Sequence, residues 1–319
     1  MEGPWTRDEA SASGQVFEDR ICALLTEQSR GHLHVFRPLL DRGVDALLHR
    51  LSDGAYIPVQ AKGRSSLRRG QVQLLVAVES VTDDFVVIIG GEIVDGGLGP
   101  KMLVVPTPDF RRLALLTTAR GVPEYSMSFS RNPRSNSRWL PWLVSADRLV
   151  EKFGLPLGLP ALAIAEELPQ LRRGPLGFLG ESEVVRQLAE AEHLNLFRPF
   201  PDLETVELAV RHLKTGHVVG LQIKTVSVDA VYPNRPVDIR TSSFRPAPTT
   251  YFTVVAWMPE ERRFHEECLV FPSEVLLEFA RPAGSHYKFE FQPGSKKQPR
   301  LDKYRRSLSD LCTEIESLL

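Results

Sequence analysis

Three residues carry side chains whose combination could do chemistry: Asp45, Gln60 and Lys62. Gln60 and Lys62 stand two apart in "YIPVQAKGRSS" (56–66). On an extended strand they share one face, while Val59 and Ala61 take the other. Hard divalent cations such as Mg²⁺ prefer oxygen ligands and keep several waters. Asp45, the Gln60 side-chain oxygen, the Ala61 carbonyl and Glu18 are the oxygens on offer. Lys62 would sit beside the cation's water, positioning or deprotonating it, or would neutralise charge on a pentavalent phosphate. An ammonium beside carboxylates also has a reason for burial that an isolated core lysine lacks.

Taken alone, Gln60 and Lys62 read as two polar residues of a half-exposed strand. The chain, however, repeats the arrangement. "VDALLHRLSDGAYIPVQAK" (44–62) aligns without a gap on "VELAVRHLKTGHVVGLQIK" (206–224). Asp45, Gln60 and Lys62 fall on Glu207, Gln222 and Lys224, each 162 positions on (207−45, 222−60, 224−62). Each copy reads as two apolar strands joined by a glycine turn, "SDG" or "KTG", the pattern of a β-hairpin. The correspondence extends outward. "VFRPLLD" (35–41) matches "LFRPFPD" (196–202), "FVVIIG" matches "FTVVAW", and "LVVPTPDFRRLAL" matches "LVFPSEVLLEFA". "YSMSF" matches "YKFEF", and helices are expected at the close of each half, near 145–153 and 301–318.

These elements predict an α/β protein of two tandem domains, each a central mixed β-sheet flanked by helices. The domains are expected at 1–155 and 177–319, joined by a linker at 156–176 rich in proline, glycine and leucine, with one short helix in "AIAEEL". The first helix is expected to be capped by Ser13 and stopped by Gly31. At 319 residues, two domains are also the natural division of the chain.

Composition narrows the function classes. With 42% apolar and 25% charged residues the chain is of ordinary globular make-up, so collagenous and low-complexity classes are excluded. No apolar run reaches membrane-span length, "MEGPWTRDEASASG" lacks a signal-peptide core, and the three cysteines have no paired spacing. A reducing, cytoplasmic setting is the expectation. A net charge of −1 excludes a protein coated in positive charge but leaves room for a local basic footprint. Arg64, Arg68 and Arg69 follow Lys62 directly and are the candidate nucleic-acid contacts. Arg131, Arg134 and Arg138, like Tyr304, Arg305 and Arg306 on the expected C-terminal helix, read as solvated faces. Trp139 and Trp142 read as packing residues. His49 and His212 stand 163 rather than 162 positions apart and are left out of the site.

"GQVFE", "DRGVD" and "VQAK" resemble the successive motifs of the PD-(D/E)XK phosphodiesterase superfamily, specifically its Mrr-type branch with glutamine in the final motif. The resemblance covers the core of each half, roughly 13–90 and 177–257. It implies a restriction-endonuclease-like fold and Mg²⁺-dependent phosphodiester hydrolysis, with Mn²⁺ as a substitute and double-stranded DNA as the usual substrate. On that basis Asp45 is the metal ligand, Gln60 the variant ligand, Lys62 the catalytic lysine and Glu18 the helix acid. The second copy departs from the pattern. Glu207 replaces aspartate, Thr205 replaces Gly43, and both Glu181 and Glu183 qualify as the helix acid, while Gln222 and Lys224 are kept. The rival reading is a nuclease-fold scaffold without catalysis that binds nucleic acid or a partner protein. Duplication further suggests an intramolecular pseudo-dimer facing one duplex, with a homodimer as the route to cutting both strands.

Overall fold

The computed structural model describes residues 7–39, 43–64, 71–94, 97–119, 121–162, 175–200 and 206–319. The chain divides into two compact units, Met1–Leu162 and Ala163–Leu319. The division falls inside the 156–176 stretch; the "AIAEEL" segment lies outside the described residues.

The first unit opens with helix α1 (Arg7–Ser29), then β1 (Leu33–Pro38), β2 (Ala46–Arg50), β3 (Ala55–Arg64), β4 (Gln71–Ala77) and β5 (Val87–Val94). It continues through β6 (Gly97–Leu98), β7 (Lys101–Pro106), α2 (Thr107–Leu113), β8 (Leu115–Ala119), β9 (Val122–Ser130) and β10 (Leu143–Ser145). Its main sheet runs β10-β7-β5-β3-β2-β1. The β3–β5 pair is parallel and the other neighbours are antiparallel. Alternation sorts the side chains between two faces. Val59, Ala61, Ile89 and Val104 pack under α1 against Phe17, Ile21 and Leu25. Ile88, Leu103 and Val105 pack on the other side against Val72, Leu74, Met127 and Phe129 of a second sheet, β4-β9-β8. A strand covered on both faces reads as an almost unbroken apolar run, which is how "FVVIIG" reads.

The second unit comprises α3 (Pro175–Ala189), β11 (Leu194–Phe200), β12 (Leu208–His212), β13 (Val218–Ser227), β14 (Arg235–Arg240) and β15 (Thr250–Met258). Then follow β16 (Arg263–Phe264), β17 (Glu267–Pro272), β18 (Arg281–Ala283), β19 (His286–Phe291), α4 (Pro299–Asp302), β20 (Arg305–Ser307) and α5 (Leu311–Glu316). Its main sheet runs β11-β12-β13-β15-β17-β20, with β13 and β15 parallel, and β14-β19-β18 form the second sheet. The registers repeat those of the first unit. Ala46 faces Val59 as Leu208 faces Leu221, and Lys62 faces Gly90 as Lys224 faces Val254. The turn glycines Gly54 and Gly216 hold φ of 70° and 74°, the left-handed conformation the hairpins require.

The helix-to-sheet contact shows a size exchange between the units. In the first, Phe17 presses on Gly63 and Gly91: a Cβ on Gly63 would collide with the ring, and one on Gly91 would crowd it. In the second, Gly180 lies against Thr225 and Val255, the register equivalents of those glycines. The large group has moved from helix to strands while the contact persists. This also sets the helix phase: Glu18 follows Phe17 as Glu181 follows Gly180.

Several expectations need correction. α1 begins at Arg7, so Ser13 lies within the helix rather than capping it; "RDEASAS" contains good helix formers and no glycine or proline. Gly31 does terminate the helix, with φ of 87°. The 301–318 stretch is not one helix, because β20 interrupts it to pair with the edge of β17. Tyr304 is accordingly buried, and Arg305 pairs with Glu267 and Asp302 instead of facing solvent. In the first unit 146–153 forms a 3₁₀ helix after β10 has covered β7 in the same way. Trp139 is buried against Phe110, as a packing residue.

Gly63→Ala should lower stability by about 1–3 kcal/mol, because the new methyl overpacks against Phe17. In a Phe17→Ala background, where the ring is gone, Gly63→Ala should cost much less, and chemical denaturation of the two single variants and the double variant measures the coupling.

Candidate functional site

The site begins where β2 and β3 part. Asp45 precedes β2, and its own N–H still donates to the Val59 carbonyl (2.9 Å). The next amide along β3, Ala61 N–H, donates to Asp45 Oδ2 (2.7 Å). The carboxylate thus takes the place of a backbone acceptor at the end of the ladder. Lys62 Nζ lies 3.7 Å from the same oxygen, an ion pair rather than a hydrogen bond. Lys62 keeps 31% of its side chain exposed and Asp45 13%, so the pair sits at a rim.

Gln60 shares the Lys62 face, opposite α1. It is 2% exposed, and its Oε1 is a buried acceptor without a hydrogen-bond partner among the described residues. A buried amide oxygen left in this state costs free energy unless a donor or cation satisfies it. Glu18 stands on the helix side, 3.9 Å from Arg37. The Cys22 thiol is pushed up to about 12, first by burial and then by the charges of Glu18 and Asp45.

The second unit builds the same contact with one methylene more. Glu207 N–H donates to the Leu221 carbonyl (3.0 Å), and Ile223 N–H donates to Glu207 Oε2 (2.9 Å). Lys224 Nζ donates to Glu207 Oε1 at 2.9 Å. Both carboxylate oxygens are therefore engaged, one by the strand and one by the lysine. Gln222 is buried like Gln60. Of the two helix acids, Glu181 is buried, while Glu183 is tied along the helix to Arg186 and Gln187. The Arg186 hydrogen bond holds the Glu183 carboxyl below its ordinary range. Glu181 is the Glu18 counterpart and Glu183 is not.

Among the described residues no three of His, Cys, Asp and Glu gather in a way that could hold a metal. A cation here would depend on Gln60 Oε1 and backbone oxygen as well as on Asp45. The unpartnered buried oxygen of Gln60 and the all-oxygen donor set suit a hard cation that retains water. Arg68 and Arg69 lie outside the described residues, and of Arg64 only its backbone at the end of β3 is described.

Two site-proximal residues escaped the sequence reading. Glu92 of β5 is 2% exposed and accepts two hydrogen bonds from Arg131, Nε to Oε1 at 2.6 Å and Nη2 to Oε2 at 3.1 Å. A lone carboxylate in the apolar run "VVIIGGEIV" was the available signal. Arg131 is thus not merely part of a solvated cluster.

No protein-family model matches the chain, and no curated protein matches it. Among solved structures, the chain is similar to that of a bacterial homing endonuclease, I-Ssp6803I, at 17% identity and a TM-score of 0.31. The match covers 44% of this chain and 92% of that one. A likeness of that strength carries no argument, and the function rests on the geometry. No helix among the described residues is long and apolar enough to cross a membrane.

His49 is a core residue. Its ring stacks on Tyr56 (4.2 Å, 6°) and meets His34 edge-on, and neither ring nitrogen has a partner among the described residues. Burial, then the charge of His34, lowers its pKa to about 4 despite Asp53. The unfolded chain therefore takes up this proton first as pH falls below about 6.5. Stability contributed by neutral His49 is complete above that pH and declines as pH drops towards 4, by about 3 kcal/mol in all. Thermal melts between pH 7 and 4 should fall more steeply for the native chain than for His49→Phe.

Proposed function

We propose that the first unit is a metal-dependent nuclease that hydrolyses phosphodiester bonds of nucleic acid, with double-stranded DNA as substrate and Mg²⁺, or Mn²⁺ in its place, as cofactor. The observation that carries this reading is the Asp45 carboxylate between the Ala61 amide and Lys62 Nζ, with the unpartnered Gln60 oxygen on the lysine's face. Asp45, Gln60 Oε1 and the Ala61 carbonyl would hold the cation, with Glu18 as the acid from the helix side. When bound, the cation supplies charge to stabilise the phosphorane-like transition state and to acidify water. Asp45, fixed by the Ala61 N–H, contributes a carboxylate whose direction is set by the strand. Lys62 offers N–H donors to a non-bridging phosphate oxygen or to the attacking water. Addition of water to phosphorus breaks one ester P–O bond, leaving a phosphate monoester and a hydroxyl end.

The second unit supports a different reading. Glu207 is closed onto Lys224 at 2.9 Å, its other oxygen held by the Ile223 amide. Such a site favours binding or structural support over hydrolysis. The shared registers suit two copies of one ancestral domain, of which one cuts. Such a chain would nick one strand per encounter, and two chains would be needed to sever a duplex.

Supercoiled plasmid incubated with Mg²⁺ or Mn²⁺ tests this. Lys62→Ala and Asp45→Asn should each reduce nicking by about 10²-fold or more, the usual loss when transition-state charge stabilisation goes. Lys224→Ala should still nick. Absence of nicking by the native chain with either metal would leave the scaffold reading in its place.

A further inference from the structure

We propose that Arg131, set in place by Glu92, binds a phosphate of the nucleic-acid backbone beside the Asp45–Lys62 site. The inference rests on the nucleic-acid reading above and extends it to the substrate contact.

The placement comes from sheet register. Lys62 faces Gly90 across the parallel β3–β5 pair, and Glu92 lies two residues further along β5 on the same face, opposite Arg64. Arg131 directly follows Ser130, which pairs with Gln71, the first residue of β4. The end of β9 thus meets the start of β4. Through its pair with Glu92, Arg131 therefore lies over the sheet face that carries Lys62.

The energetics point the same way. Withdrawing a carboxylate from water costs several kcal/mol, and a buried ion pair is often replaceable by apolar residues without loss of stability. The second unit makes that replacement. Since Lys224 faces Val254, the position equivalent to Glu92 is Ala256, which is wholly buried. The frame does not need the acid. In the first unit the acid is enclosed instead: a Cβ on Gly99 would strike its side chain, and Gly99 N–H donates to the Glu92 carbonyl (2.8 Å). This buried carboxylate grips Arg131 through Nε and Nη2 while 39% of the arginine side chain remains exposed. An arginine whose conformational freedom is already spent in this way suits a planar, multidentate contact to phosphate.

Anisotropy of a labelled DNA duplex in Ca²⁺ at several salt concentrations, with plasmid nicking in Mg²⁺, tests the assignment. Arg131→Ala should raise Kd and KM about tenfold, the effect of losing one charged contact. It should change kcat much less and flatten the slope of log Kd against log salt by about 1. Arg131→Lys should restore the slope and part of the affinity. Because Arg131→Ala strands a buried carboxylate, the pair Glu92→Ala/Arg131→Ala supplies a second variant, expected to show the same slope. Unchanged Kd and slope in both folded variants would overturn the assignment, as would a native chain that does not bind the duplex. If the native chain binds but never nicks, and Arg131→Ala still weakens binding and flattens the slope, the phosphate contact stands and the nuclease reading falls.

Discussion

The structure of each site depends on an acidic side chain accepting the hydrogen bond that a neighbouring strand would otherwise take. Asp45 and Glu207 each precede the first strand of a hairpin and capture the amide two residues beyond the last ladder carbonyl, Ala61 or Ile223. A strand amide left bare at that point would carry a desolvation penalty of about 1–3 kcal/mol. The carboxylate removes it where each ladder ends, and the adjoining lysine stands there partly exposed.

A common frame need not carry a common site. Exchange of bulk between Phe17 and the pair Thr225–Val255 shows that the helix-to-sheet contact is held by total volume rather than by particular residues. The carboxylates are less forgiving. One methylene moves the acid by about 1.5 Å, a carbon–carbon bond's length. In the second unit that reach turns a 3.7 Å ion pair into a 2.9 Å hydrogen bond.

Much of this frame was legible in the sequence because its signals are local. Period-two alternation and a turn glycine specify the β2–β3 and β12–β13 hairpins, and the 162-residue repeat fixes their equivalence. Asp45, Gln60 and Lys62 could be grouped because a hairpin brings nearby sequence together. What escaped is what long-range pairing creates. β10 and β20 arise because β7 and β17 each need a partner on one edge, which no pattern within "LVS" or "RRS" announces. The choice of Glu181 over Glu183 depends on helix phase against β13. Glu92 and Arg131 are 39 residues apart and meet only when the second sheet has closed over the first.

Lysine rather than arginine at positions 62 and 224 fits this arrangement. An ammonium is a compact charge on a flexible stem, whereas guanidinium has the planar fork that clamps a carboxylate in a bidentate pair. At Glu92 the bidentate clamp is what the fold uses, and Arg131 is held by two bonds. At Asp45 a clamp would bind the acid against everything else. A lysine resting 3.7 Å away lowers the local charge without closing on the carboxylate. The first unit thus contains two kinds of charged pair: an arginine fixed by two hydrogen bonds to a buried carboxylate, and a partly exposed lysine standing off its carboxylate at 3.7 Å.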